Sequence, residues 1–295
     1  MIGSADDRAE PTTLQPRRTL ATRRVLGSDP RLAYLLYVPE VLSTEPRLVV
    51  SIHGANRNVD VHAQLLAAYA EMYGAVLVVP HFSTSRYGDY QRLGRIGRGK
   101  RADLALHRIV TEAGALTGMP ADRLYLFGFS AGAQFVHRYA MAYPHRVAFA
   151  AFADAGRYTL PDPKQKFPRG IGSNRKLPGL RFDPDLFLRV PMKVFVGAHE
   201  PEDQVVTLPR REQEGASEKG VRRAERARQW VAAMQQAGRE RRIESAIAWE
   251  ELPDRIRSFR SSVLRAGLAE RAFEAMFGAL PPQPDAASAP LPSEG

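Results

Sequence analysis

The sequence predicts an α/β fold, a mostly parallel sheet covered by helices on both faces. Three observations predict it. Short runs such as "RLVVSIHG" (47–54), "AVLVVP" (75–80) and "VAFAAFA" (147–153) are apolar almost throughout, as strands buried on both faces must be. Segments of helical periodicity separate them, and that alternation gives parallel pairing. Glycine closes several of the runs. With 295 residues and 44% apolar composition, the chain suits one large domain.

Taken in order, residues 1–17 read as a mobile arm and 18–278 as the folded domain. "RRVLGSDPRLAYLLYVPE" (23–40) reads as two strands about the "GSDP" turn. A short buried strand at 47–54 precedes a helix over 59–74, with Val61, Leu65, Ala68 and Met72 at helical spacing. The strand 75–80 is followed by a helix over 101–118, the strand "RLYLFG" (123–128) and a helix from Ser130 to about Tyr143. Strands at 147–153 and 192–197 flank a Pro- and Gly-rich excursion, 154–190. An arginine-rich helix is expected over roughly 216–237, a last strand over 242–252 and a last helix over 261–278. The tail 279–295, "PPQPDAASAPLPSEG" at its core, has nothing to bury and is expected to be disordered.

Composition narrows the function. The chain has no cysteine, which excludes disulfides, thiol catalysis and zinc–thiolate sites. The formal charge of +10 comes far more from arginine than from lysine. Without a nucleic-acid recognition motif, it reads as charge spread over solvated faces. Neither a nucleic-acid nor a membrane partner is expected, and no cofactor or metal. The N-terminal stretch lacks the apolar core of a secretory signal, so a cytoplasmic location is expected. Gly94-x-x-x-x-Gly99-Lys100 has phosphate-loop spacing, but Arg101 stands where Ser or Thr must hold magnesium and no strand leads into it.

The chemistry gathers at strand ends, where ligands of parallel sheets bind. "FGFSAG" (127–132) places Ser130 between two glycines, Gly128 and Gly132, at a strand–turn–helix junction, the context a nucleophile elbow needs. Such a turn exposes the hydroxyl and aims backbone N–H groups at it. His53-Gly54 in "SIHGANRN" (51–58) closes an earlier strand, where this architecture places the other half of an oxyanion hole. The N–H groups of Ala55 and Ala131 are the candidates for holding an oxyanion.

On "SIHGANRN", "FGFSAGAQF", "VFVGAHEPED" and the strand–helix order, the chain resembles the α/β-hydrolases over roughly residues 30–278, within them the esterase and polyester-depolymerase branch. The resemblance implies a serine hydrolase of carboxylic esters, a small-molecule substrate and a triad ordered Ser, acid, His. It places the acid in "GAHEPEDQVV" (197–206), at Glu200 or Asp203, with Asp154 as a third choice. It also implies that the excursion, at about 155–190, forms a lid in which Tyr158, Phe167 and Phe182 either touch substrate or simply pack. The loop 81–101 is the other candidate wall.

The base is missing. The seven histidines are His53, His62, His81, His107, His137, His145 and His199, and none follows residue 199. The loop after the last strand reads "WEELPDRIRSFRSSV" (249–263), and Arg257 stands before Ser258-Phe259 where the family's histidine belongs. Arginine keeps its proton at any useful pH and cannot accept one from Ser130. In a serine protease, losing the base costs about a millionfold in turnover. His62, His107 and His137 fall inside helices, read as surface or packing residues away from the strand ends. His145 reads as solvated, and His53 as shaping the oxyanion loop. His199, beside Glu200, is the possible substitute base, ahead of His81. Two functions therefore stay open: an esterase with an unconventional base, or a lapsed hydrolase scaffold that binds a small molecule. Oligomeric state is left open.

Overall fold

The computed structural model describes residues 20–172, 175–197, 223–254, 256 and 258–279. Eight strands form one sheet in the order β1-β2-β4-β3-β5-β6-β7-β8. β1 (Thr22–Leu26) and β2 (Asp29–Tyr37) form an antiparallel hairpin across Gly27-Ser28, and β2 pairs antiparallel with β4 (Val76–His81). β3 (Leu48–Ile52), β4, β5 (Leu124–Phe129), β6 (Val147–Ala153), β7 (Met192–Gly197) and β8 (Ile247–Leu252) run parallel.

Alternation along each strand divides the core into two layers. In β5, Leu126 packs into a layer with Ile109, Phe135, Tyr139, Trp230 and Met234. These come from α2 (Ala102–Thr117), α3 (Ala131–Ala142) and α5 (Arg223–Arg241). Its neighbour Phe127 packs into the opposite layer with Leu66, Ala70, Val263 and Phe273. That layer is built by α1 (Val59–Met72), α6 (Phe259–Ala266) and α7 (Leu268–Phe277). A single turn, α4 (Pro184–Phe187), is capped by the Asp183 carboxylate and leads into β7.

Several expected boundaries move, each for a local reason. In α1 the buried face is Val59, His62, Ala63, Leu66, Ala67 and Ala70. Val61, Leu65 and Ala68 are only half-buried and Met72 is exposed, so the period was right and the face was off by about one residue. β8 begins at Ile247 rather than 242, because 242–246 form the turn out of α5. Ile243 N–H donates to the Gly238 carbonyl, and Arg242 is in a left-handed conformation. α5 runs on to Arg241; residues 216–222 lie outside the described residues. The last helix is two helices, α6 starting at Phe259 and α7 ending at Phe277. Gly267 between them has φ 64° and donates its N–H to the Ser262 carbonyl, a left-handed C-cap.

The excursion after β6 is anchored through Thr159, which is fully buried. Its N–H donates to His137 Nε2, its carbonyl accepts from Trp230 Nε1 at 2.7 Å, and its hydroxyl accepts from Arg138 Nε at 2.9 Å. Arg138 lies in the core and also donates to the Gln91 carbonyl. Burial holds its guanidinium down at about 9. Tyr158 stacks on Trp230, and Phe167 stacks on Phe182.

Candidate active site

β3, β5 and β6 end level with one another, since Ile52 is opposite Gly128 and Gly128 opposite Phe152. The residues just past those ends, Gly54, Ser130 and Asp154, therefore meet at one sheet edge. Together with Ala55, Asn56, Asn58, Val61, His62, Phe129, Arg223, Ser258, Phe259 and Arg260 they line a cavity of about 410 Å³.

Ser130 sits between β5 and α3 with φ 55° and ψ −112°, a conformation that costs a non-glycine residue about 1–3 kcal/mol. The elbow is held shut from both sides. A Cβ on Gly128 would lie 2.6 Å from the Gly132 carbonyl oxygen, and a Cβ on Gly132 would lie 2.0 Å from that of Ile52. Strand, turn and helix thus approach as closely as the backbone allows, which fixes Ser130 at the cavity wall. Gly132→Ala is expected to destabilise the protein by about 3 kcal/mol or more, read as a lower urea midpoint than wild type. An unchanged midpoint would mean that α3 does not press on β3.

The loop after β3 is equally constrained. His53 Nδ1 donates to the Gly54 carbonyl and Nε2 accepts from Phe82 N–H, so the neutral imidazole is used at both nitrogens. Tyr90 donates to the His53 carbonyl at 2.8 Å. Arg57, itself left-handed, donates to the carbonyls of Ala55 and Phe82. Asn58 caps α1 by accepting from Val61 N–H. Ala55 is exposed on the cavity wall, and Ala131 opens α3 directly after Ser130.

No protein-family model matches the chain. In the curated proteins it is similar to feruloyl esterase B of Neurospora crassa, 28% identical over 159 residues, covering 49% of this chain and 54% of that protein. The chain thus spans about half the length of this curated relative. Among solved structures it is similar to poly(aspartic acid) hydrolase-1 of Sphingomonas sp. KT-1, with a TM-score of 0.67, 23% identity and coverage of 82% and 92% of the two chains. It is also similar to a poly(3-hydroxybutyrate) depolymerase of Bordetella parapertussis, with a TM-score of 0.68, 23% identity and coverage of 91% and 92%.

The chain has the α/β-hydrolase fold. The strand–helix order and the Ser130 elbow, on which the sequence expectation rested, are joined by the sheet order and the level ends of β3, β5 and β6. Glu200, Asp203, His199 and Arg257 lie outside the described residues. Their flanks are placed: a Cβ on Gly197, at the end of β7, would lie 2.9 Å from Ile256 N. The segment expected to carry the acid therefore follows the strand end that packs on Ile256, the residue before position 257. On the other side of Arg257, Ser258 caps α6 in a capping box with Ser261 and lines the cavity. Asp154, at φ 60°, is in the cavity, where its carboxylate is 2.5 Å from Arg223 Nη1.

The histidines divide differently from the sequence expectation in one case. His137 is fully buried, donating to the Ala133 carbonyl and accepting from Thr159, a packing residue as expected. His107 packs edge-on against Tyr143, and His145 is exposed. His81 is half-buried and does not line the cavity. His62 was expected away from the strand ends. It lies instead on the cavity wall, because the buried face of α1 is the one that turns toward β3. Its Nδ1 shares a 2.8 Å hydrogen bond with Ser51 Oγ, and its ring stacks on Phe259 at 3.8 Å.

Among the described residues, the excursion contributes only Asp154 to the lining, and the loop 81–101 contributes none. Phe167 and Phe182 line a separate apolar cavity of about 300 Å³ with Ile171, Leu177 and Leu180. The phosphate-loop spacing is likewise structural: Arg101 is bound to Asp103, and Gly94 is pressed against the Lys100 carbonyl. Asn56, Asn58, Arg223 and Arg260 were not singled out from sequence. Asn56 and Asn58 lie inside the quoted "SIHGANRN" and Arg260 inside the quoted "WEELPDRIRSFRSSV", whereas Arg223 lies in no stretch marked for the site.

Burial holds His53 down to about 4 and His62 down to about 3. Both are neutral at pH 7 in the folded and unfolded chain. Below about 6.5 the unfolded chain takes up protons that the folded chain refuses. Stability is therefore complete above that pH and is lost as pH falls toward 4 and then 3. Each unit over which one buried histidine stays neutral costs about 1.4 kcal/mol. A fall in the urea midpoint between pH 7 and pH 5 is expected, shallower in His62→Phe. Equal slopes in the two proteins would contradict this linkage.

Proposed function

We propose that the protein is a serine hydrolase that cleaves a carboxylic ester through Ser130. The observation that carries this reading is Ser130 itself, held at φ 55° on a turn with no room for side chains at Gly128 or Gly132, facing a 410 Å³ cavity. An idle turn has no need of that strain. In the reaction, Ser130 Oγ adds to the ester carbonyl while the N–H groups of Ala55 and Ala131 hold the developing oxyanion. Collapse expels the alcohol and leaves an acyl-serine, which water then hydrolyses. Glu200, Asp203 or Asp154 would orient the base, and His199, in the same loop and adjacent to Glu200, is the candidate for it. The names of the relatives, a feruloyl esterase and a polyester depolymerase, support an ester as substrate.

A second reading, a scaffold that binds a small molecule without cleaving it, is favoured by two specific observations. No histidine follows residue 199, and the Asp154 carboxylate is committed to Arg223. Hydrolysis of short-chain p-nitrophenyl esters separates the two. The hydrolase reading expects saturable p-nitrophenol release above the buffer rate. Saturable binding with no product would favour the binding scaffold.

A further inference from the structure

We propose that the ester accepted by the Ser130 cavity carries a free carboxylate, and that Arg260 holds it. The proposal rests on the hydrolase reading for the reacting group; the charge recognition stands on the cavity itself. Its charged lining residues, among those described, are Asp154, Arg223 and Arg260. Asp154 and Arg223 neutralise one another at 2.5 Å. His62 adds no charge, because burial keeps it neutral. Among the described lining residues one positive charge is thus in excess, and it belongs to Arg260.

Arg260 makes no ion pair or hydrogen bond with another described residue, and its side chain is exposed. Nor does its own helix account for it. It is in the first turn of α6, two residues after the Ser258 cap, where the partial charge of the helix end is positive and a cation is disfavoured. A ligand anion would reverse that sign. The guanidinium fork matches a carboxylate with two parallel hydrogen bonds, and such charge-assisted bonds are among the stronger ones. Partial enclosure in a cavity raises their worth over a surface pair. The same wall includes Phe259, Phe129 and Val61, apolar surface for a short methylene chain. The substrate class these features fit is a monoester of a short dicarboxylic acid, or a polyester end that carries a free acid group.

The test is calorimetric titration of Ser130→Ala, which leaves esters intact, with monomethyl glutarate and with dimethyl glutarate. The anionic monoester is expected to bind at least about tenfold more tightly than the neutral diester, a difference of about 1.4 kcal/mol. That preference should shrink as salt is raised, disappear in Arg260→Gln and return in part in Arg260→Lys. Equal or tighter binding of the diester, no binding of either, or a preference that survives Arg260→Gln would each overturn the proposal. Wild-type turnover then separates it from the reading beneath it. Selective binding of the monoester with no hydrolysis leaves the carboxylate site standing and removes the hydrolase. Hydrolysis of neutral and anionic p-nitrophenyl esters at equal rates does the reverse.

Discussion

Arg257→His is expected to raise kcat/KM for a short-chain p-nitrophenyl ester by about 10²–10⁴-fold, the range a positioned general base contributes. The expectation comes from where position 257 falls. Ile256 packs against the end of β7, after which the expected acid residues follow in sequence, and Ser258 lines the cavity that holds Ser130. A histidine between those flanks would bring a group with a proton affinity suited to neutral pH to the segment that borders the cavity. The gain also identifies the acid. If Glu200 or Asp203 orients the new imidazole, alanine at that position in the Arg257→His background should abolish the gain. If Asp154 does, Arg223→Gln should enlarge it by releasing the carboxylate from its 2.5 Å ion pair. Activity no higher than wild type, in a variant that folds normally, would mean that a base is already present or that position 257 does not face Ser130.

Ser130→Ala is expected to reduce ester hydrolysis to the background rate, and in the Arg257→His background to remove the whole gain. Alanine at φ 55° carries the same backbone strain as serine, so the melting temperature should barely move and the loss can be read as chemistry. Removing the nucleophile of a serine protease costs as much as removing its base. Hydrolysis that persists in Ser130→Ala would place the chemistry elsewhere in the molecule.

Much of the fold could be read directly. β6 and β7 occupy the residues expected, because fully buried parallel strands are short continuous apolar runs bounded by polar or glycine residues. The elbow was equally plain, since Gly128 and Gly132 are demanded by backbone contacts under 3 Å. Where the reading slipped, the sequence offered two stripes of similar apolarity. In α1, Val61-Leu65-Ala68-Met72 is as regular as Val59-Ala63-Leu66-Ala70, and only the sheet decides which stripe is buried. That choice moved His62 from a remote helix to the cavity wall. Gly267 could have been taken as a break, but in "RAGLAE" a glycine inside an apolar periodic run looks like helix interior. The Asp154–Arg223 pair joins residues 69 apart, a contact that no local pattern carries. Arg260 was hidden for another reason: in a chain this rich in arginine, one more at a helix start draws no attention until the cavity beside it is seen.

The most direct measurement is to mix the wild-type protein with p-nitrophenyl butyrate, quench in acid and map the acylated peptide by mass spectrometry. Acyl transfer to Ser130 predicts a butyryl group on the peptide that contains Ser130, appearing with p-nitrophenol release and absent from Ser130→Ala. Release of p-nitrophenol with the acyl group on another residue, or at an equal rate in Ser130→Ala, would contradict Ser130 as the nucleophile.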